Sequence, residues 1–277
     1  MKLDRYHRRV YLYIIGLVFK EKKMKIDMKK IIPFLMLAIL AVGCKSSPKG
    51  ADTASSLPAA GTAAQPSDGP VDYDKLIAQY TDAIKADPNN AAAFANRGNA
   101  YMAKGDTDKA LADYNDAIRL SPNDPVLYYN RGLAYDQKKD FDKAIADYSQ
   151  AIKLKPDYTE AYNNRGAAYA DKKDYDKAIA DQTEAIKLKP DYTNAYNNRG
   201  YAYRNKGDLD KAIADYDQAI KLDPNYAIAY TNRGVAYSFK GDYDKANSDY
   251  ETALRLDPNN ERAKYNLDII KQQQAGM

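Results

Sequence analysis

The chain has 277 residues with one Cys, one His and no Trp, so it cannot form an intramolecular disulfide. The histidine, His7, lies near the N-terminus, so residues 71–277 lack the ligands of His/Cys zinc sites and every Ser/His or Cys/His nucleophile pair. The net charge of +4 is uneven: residues 1–30 hold ten Lys or Arg against three Asp or Glu, which leaves 32 basic and 35 acidic residues elsewhere. The remainder therefore has a net charge of −3, and we expect no nucleic-acid partner.

Residues 28–43 have the pattern of a secretory signal peptide, because the basic segment Met28-Lys29-Lys30 precedes an apolar run that ends before Cys44. The small residue before a lone cysteine resembles the bacterial lipoprotein signal, although Ala41 stands where leucine is usual. The resemblance implies cleavage before Cys44, lipidation of Cys44, and a lipid-anchored protein on the periplasmic or surface face of a bacterial cell envelope. The alternatives are a buried cysteine or an uncleaved membrane helix, for which about a dozen apolar residues are short.

Two flanking segments are not expected to form a folded core. Residues 1–27 contain another short apolar run, so either the true start is Met28 or Met24, or these residues extend the basic part of the signal. Residues 44–70 are rich in Ala, Ser, Pro and Gly and are predicted to be a disordered linker.

From residue 71 onward the sequence repeats every 34 residues without an insertion, which is the mark of a stacked repeat architecture. The five full repeats are 91–124, 125–158, 159–192, 193–226 and 227–260. Counted from the first residue of a repeat, Gly occupies position 8, Tyr 11, Ala 20, an aromatic 24, Ala 27 and Pro 32. Gln182 is the exception at position 24, and we expect the third repeat to be the most weakly packed.

These spacings predict two antiparallel helices in each repeat. Gly and the Tyr three residues later share one helical face, as do Ala and the aromatic residue four later. Because Gly132 has no Cβ and Ala144 a small one, the two helices can approach closely beside Tyr148. Proline ends the second helix. Aspartates such as Asp140 are predicted to cap the second helices, and Asn123, Asp157, Asp191 and Asn225 to cap the first helices.

The pattern resembles the tetratricopeptide (TPR) repeat over residues 71–277. This resemblance implies an all-α fold, a right-handed superhelix of antiparallel helix pairs. Residues 71–90 match only the second half of a repeat and are predicted to be a lone helix. Residues 261–277 are predicted to form a polar capping helix and tail, with Asp268 at the glycine position.

The family resemblance also implies a ligand groove lined by the first helices at positions 2, 5, 6, 9, 12 and 13. Position 6 is always asparagine, and such a row of amides resembles the asparagine ladder with which some TPR superhelices bind peptide backbones. The alternative is that these amides are merely solvated. The predicted groove residues are Asn96, Asn130, Asn164, Asn198, Asn232, Asn99, Tyr129, Asn163, Asn197, Tyr201 and Arg204.

Two further patterns bear on the groove. The lysines of the family's carboxylate clamp are missing, so an anchor for a C-terminal carboxylate is not expected. Position 7 is always Arg and position 23 always Asp, which predicts an Arg–Asp pair inside each repeat, for example Arg165 with Asp181. A basic stripe in the groove is the alternative.

We therefore expect a noncatalytic scaffold or adaptor that binds peptide segments of protein partners and requires no cofactor or metal. The alternatives are a TPR module that self-associates, or a pilotin-like assembly factor for envelope machinery.

Overall fold

A computed structural model of the chain describes residues 71–275, which form twelve α-helices and contain no strand. The predicted leader, signal peptide, Cys44 and linker lie outside the described residues. The helices are α1 Tyr73–Ala86, α2 Ala91–Ala103, α3 Thr107–Leu120, α4 Pro125–Gln137, α5 Phe141–Leu154, α6 Thr159–Asp171, α7 Tyr175–Leu188, α8 Thr193–Lys206, α9 Leu209–Leu222, α10 Ala227–Lys240, α11 Tyr243–Leu256 and α12 Glu261–Ala275.

The helices pack as predicted, in antiparallel pairs that stack in chain order to form an all-α solenoid. Each first helix packs most extensively against the second helix of its own repeat, as α4 does against α5, and each second helix contacts the next first helix. The lone helix α1 packs on α2, and α12 packs on α11. Because every element contacts mainly its neighbours in sequence, stability comes from a chain of local interfaces.

The glycine at position 8 lets the two helices of a repeat touch through an aromatic ring. A Cβ built on Gly132 would lie 2.7 Å from Cε1 of Tyr148, and Tyr148 is fully buried. The alanines at positions 20 and 27, such as Ala144 and Ala151, are also fully buried. The close approach predicted from Gly and Ala is therefore confirmed.

The helix caps confirm one prediction and correct another. The second helices begin at aspartates such as Asp140, whose side chain accepts a hydrogen bond from the N–H of Lys143 at 3.3 Å. The first helices begin one residue later than predicted, so Asp157 is not the N-cap of α6. That position belongs to Tyr158, whose ring is buried against Ala151 and Ile152. The same shift moves the N-cap past Asn123, Asp191 and Asn225, to Asp124, Tyr192 and Tyr226.

The five aspartate caps predict a loss of stability in acid. A hydrogen bond from the lysine three residues later holds the pKa of each cap carboxyl below its ordinary value of 3.8. A folded-state pKa below the unfolded value gives stability that is present above pH 3.8 and lost as the pH falls through and below it. The caps are Asp106, Asp140, Asp174, Asp208 and Asp242.

The test is the melting temperature, followed by circular dichroism from about pH 6 to about pH 2.5. Asparagine retains an N-cap oxygen but carries no charge, so the variant with Asn at all five caps should melt lower than the native chain at pH 6 and lose less on acidification. Parallel losses in the two proteins would show that these caps do not drive the acid response.

None of the helices within residues 71–275 is long and apolar enough to cross a membrane.

Candidate functional site: the inner surface of the stack

The predicted site residues all lie on the first helices of the repeats. These helices also contact one another across neighbouring repeats, α2 with α4, α6 with α8, and α8 with α10. They therefore form one continuous wall of the solenoid, which is called the inner surface here.

Much of this inner surface is closed. Among the predicted groove residues, seven are buried: Asn130, Asn163, Asn164, Asn197, Tyr201, Arg204 and Asn232. Asn197 and Asn232 are 0% exposed, so they cannot contact a ligand in this structure. The prediction of an accessible groove along all five repeats is therefore wrong for α6, α8 and α10.

The asparagines at position 6 bond to side chains of the preceding repeat. Asn232 donates from Nδ2 to Oδ1 of Asn197 at 2.8 Å, and Asn198 donates to Oδ1 of Asn163 at 3.0 Å. Asn164 donates in the same way to the hydroxyl of Tyr129 at 2.9 Å. Each bond joins position 6 of one repeat to position 5 of the repeat before it. In the second half of the stack the asparagine row thus fixes the register of neighbouring helices.

The contact between the first and second repeats joins position 6 to position 9 instead of position 5. Asn130 donates to Oδ1 of Asn99 at 3.2 Å, and Asn99 also accepts from the hydroxyl of Tyr114 at 2.7 Å. At the C-terminal end, Arg262 of α12 donates to Oδ1 of Asn232 at 3.1 Å. Buried amides with such partners are satisfied and stabilise the stack.

Arg204 was predicted to be an accessible groove cation, and this prediction is wrong. Its side chain is buried, and its guanidinium carbon lies 4.9 Å from the ring centre of Tyr201. Tyr201 packs against Ala170 and Ala178 of the preceding repeat. Because α6 and α7 present small side chains there, the larger residues of α8 close the inner surface.

The first two repeats leave the inner surface partly open. Asn99 and Met102 on α2, and Tyr129 and Leu133 on α4, are half-buried, with Asn96 at the edge. We call these five residues the open groove. The corresponding residues of α6 at positions 5, 9 and 12 are all buried. The open groove combines amide groups that donate and accept hydrogen bonds with a flexible thioether and an aliphatic side chain.

The predicted Arg–Asp pair is confirmed in all five repeats. In the third repeat, Nε and Nη2 of Arg165 donate to the two carboxylate oxygens of Asp181 at 2.8 and 2.7 Å. Such paired bonds match the planar guanidinium to the carboxylate. The other pairs are Arg97–Asp113, Arg131–Asp147, Arg199–Asp215 and Arg233–Asp249.

The same arginine also reaches the preceding repeat. Nη1 of Arg165 donates to Oγ of Ser149 at 3.0 Å, so one guanidinium links α5, α6 and α7. Burial raises the pKa of Asp181 above its ordinary value even though Arg165 opposes the shift. The arginines are engaged with the second helices, which argues against a basic stripe in the groove.

Gln182 marks a local defect in the third repeat. Its side chain is 1% exposed and takes the place of the buried tyrosines of the other repeats. Nε2 donates to the backbone oxygen of Asn163 at 2.8 Å, while Oε1 has no hydrogen-bond partner within the described residues. An unsatisfied buried carbonyl is unfavourable. The Tyr148 hydroxyl in the second repeat also has no hydrogen-bond partner within the described residues, so the weaker packing of the third repeat stays a prediction.

Sequence reasoning missed two sets of contacts. Each lysine at position 14 bridges to the aspartate at position 18 of the preceding repeat, as Lys172 does to Asp142. The constant Lys and Asp, 30 residues apart in every repeat, could have revealed this pairing. Tyr158 and its counterparts were also missed, because their ring contacts do not follow from helical periodicity.

No group of His, Cys, Asp or Glu side chains within residues 71–275 is arranged to hold a metal ion.

Family models confirm the repeats. A "TPR repeat" model matches residues 98–139 and 200–238, and a "Tetratricopeptide repeat" model matches 125–158, 159–192 and 227–260. A second model described as "Tetratricopeptide repeat" matches 79–112 and 183–214, so the matches run without a gap from 79 to 260. The chain belongs to the tetratricopeptide-repeat family. Proteins with this fold are generally noncatalytic scaffolds for protein–protein interaction.

Several solved TPR structures are similar to this chain. MamA is 30% identical, covers 61% of this chain and 97% of its own, and gives a TM-score of 0.54. A MamA fragment, 41-end, from Desulfovibrio magneticus RS-1 is 24% identical over 61% of this chain and 96% of its own, with a TM-score of 0.57. YrrB, described as a TPR protein with an unusual peptide-binding site, is 24% identical over 67% and 96%, with a TM-score of 0.55. No curated protein sequence matches the chain.

Proposed function

We propose that this protein is a lipid-anchored, noncatalytic scaffold of a bacterial cell envelope that binds an extended peptide segment of a partner protein in the open groove. The carrying observation is the contrast along the inner surface. Side chains at positions 5 and 9 are buried on α6, α8 and α10 and half-buried on α2 and α4. At position 12, Met102 of α2 is half-buried, whereas Asp136 of α4 is buried.

The open groove offers what an extended peptide needs. The amide of Asn96 and the Nδ2 of Asn99 can bond to peptide backbone groups without regard to sequence. The Oδ1 of Asn99 and the hydroxyl of Tyr129 already accept hydrogen bonds within the stack. Met102 and Leu133 can contact a side chain of the peptide, and methionine adapts its shape to different partners. The similarity to YrrB, a protein described by its peptide-binding site, supports the same class of ligand.

The anchor is inferred from the sequence alone. A basic segment, an apolar run and a small residue before Cys44 favour lipidation, and the Ala/Ser/Pro/Gly-rich linker would hold the repeats away from the membrane. Labelling cells with a radioactive fatty acid tests this: the native chain should take up label, and Cys44→Ser should not. Equal labelling of both would exclude Cys44 as the lipid site.

Peptide binding is tested by selecting ligands from a random peptide library on the purified protein and measuring their affinities for variants. Leu133→Asp places a charge in the open groove and should weaken the selected peptides by about tenfold or more. The matched control is Ala146→Asp, which places the same charge at an exposed position of the second helix α5. Equal affinities of the two variants, both folded by circular dichroism, would place the binding site elsewhere.

A further inference from the structure

The two ends of the described stack are complementary halves of one repeat. Helix α1 aligns with the second helices and has no first helix before it among residues 71–275. Helix α12 aligns with the first helices and has no second helix after it among residues 71–275. Together, α12 and α1 supply the first and the second helix of one complete repeat.

Helix α1 lacks the cover that every other second helix has. Its Leu76, Tyr80 and Ala83 align with residues that are no more than 1% exposed in each full repeat, yet no residue of α1 is buried. The adjacent face of α1 is already used, since Ile84 packs beside Phe94. One apolar face of α1 therefore meets no first helix within the described part of the chain.

Asn96 indicates the same missing neighbour. At three later boundaries the asparagine at position 6 donates to a side chain at position 5 of the preceding first helix, as Asn164 does to Tyr129. The Asn96 side chain has no polar partner within residues 71–275. A first helix placed before α2, with an acceptor at position 5, would complete the series.

Helix α12 provides that acceptor. Tyr265 occupies position 5, as Tyr129 does in α4, and it is 55% exposed. The charges also match, because α1 with its caps holds four Asp and two Lys, and α12 holds three Lys or Arg and two Asp or Glu. In each full repeat the backbone N–H of the position-16 Asp donates to the carbonyl at position 11, which would bring Lys271 beside Asp72. Asp72 would then be a second acidic neighbour of Lys271, which pairs with Glu251 of its own chain at 3.3 Å.

We propose that the uncovered face of α1 binds α12 of a second copy of this chain, in a head-to-tail contact that completes a composite repeat. Such a contact uses two different surfaces and leaves one of each unused, so it builds open chains of copies. It extends the same inner surface from copy to copy.

Asp268 limits the strength of this contact. It occupies position 8, where a Cβ in the full repeats would lie 2.7–2.8 Å from the residue at position 24. In the composite repeat that residue is Tyr80, so the helices cannot approach as closely. The native contact is therefore weak, and Asp268→Gly should strengthen it.

Disulfide trapping tests the geometry in the full chain carrying Cys44→Ser. One preparation carries Asn96→Cys and another Tyr265→Cys, two positions whose counterparts touch across repeat boundaries. On mild oxidation the mixture should form the mixed dimer faster than the control mixture of Tyr265→Cys with Lys153→Cys, an exposed site on α5. Adding Asp268→Gly to the Tyr265→Cys chain should raise the initial rate of mixed-dimer formation about tenfold. The reason is that this change removes the side chain that keeps the two helices apart.

A third variant tests the face of α1. Leu76→Lys in the Asn96→Cys chain should reduce the rate to that of the control mixture. A mixed dimer that forms no faster than the control would overturn the proposal. The proposal would also be overturned if neither Asp268→Gly nor Leu76→Lys changed the rate. A dominant Asn96→Cys homodimer would overturn it too, since it would indicate contact between two α1 faces.

Discussion

Gly132→Ala is expected to lower the free energy of unfolding by about 2 kcal/mol, the net of overpacking and a small gain in helix propensity. The added methyl group would lie 2.7 Å from Cε1 and 2.8 Å from Cδ1 of Tyr148. Tyr148 is fully buried, so its ring has no room to retreat without separating α4 from α5. Urea unfolding of the variant and the native protein, followed by circular dichroism, measures the difference.

The third repeat provides the matched control. At Gly166 the nearest atom to an added Cβ is Nε2 of Gln182, the end of a flexible side chain. Gly166→Ala should therefore cost less than Gly132→Ala, because the end of Gln182 can turn away from the methyl group and alanine favours the helix. Some loss is still expected, because turning gives up the bond from Gln182 to Asn163, and Asp181 Cβ and the Ala178 carbonyl oxygen lie 3.1 and 3.2 Å from the added Cβ. A loss equal to that of Gly132→Ala would contradict the assignment of the tyrosine ring as the obstacle.

Asp181→Ala is expected to destabilise the protein by about 3 kcal/mol, since it leaves the largely buried guanidinium of Arg165 without its carboxylate. The Arg165 side chain is 18% exposed and Asp181 is 9% exposed. The exposed pair of Lys172 and Asp142 is the control, because Asp142 is 81% exposed and Asp142→Ala should change the stability by less than about 1 kcal/mol.

The double variant Arg165→Leu/Asp181→Leu separates the cost of breaking the pair from its net contribution. Burial already raises the pKa of Asp181, so part of the attraction offsets desolvation. Two apolar side chains of similar size should restore stability to within about 1 kcal/mol of the native protein. If the double variant were as unstable as Asp181→Ala, the pair itself would be a major source of stability.

The fold was predictable because its determinants are local. Gly132, Tyr135, Ala144 and Tyr148 recur at fixed offsets, and each offset places the side chain on one face of a helix. The Arg–Asp pairs followed from the same reasoning, since positions 7 and 23 meet across a hairpin. A contact inside one repeat depends only on that repeat.

The candidate site was less predictable because it depends on how neighbouring repeats pack. Periodicity places Asn197 and Arg204 on the inner surface, but their burial depends on the size of side chains in the adjacent helices. Tyr201, for example, packs in one buried cluster with the small side chains of Ala170 and Ala178. The first helices also start later than the pattern suggested, because Tyr158 packs inward ahead of α6.

The claim that ligands bind where the inner surface is open is tested most directly by hydrogen–deuterium exchange of the full chain with and without a selected peptide. The peptide should slow exchange in α2 and α4 and leave α8 and α10 unchanged, because their inner side chains already bond to each other. Protection centred on α8 and α10, or on the second helices, would contradict the account.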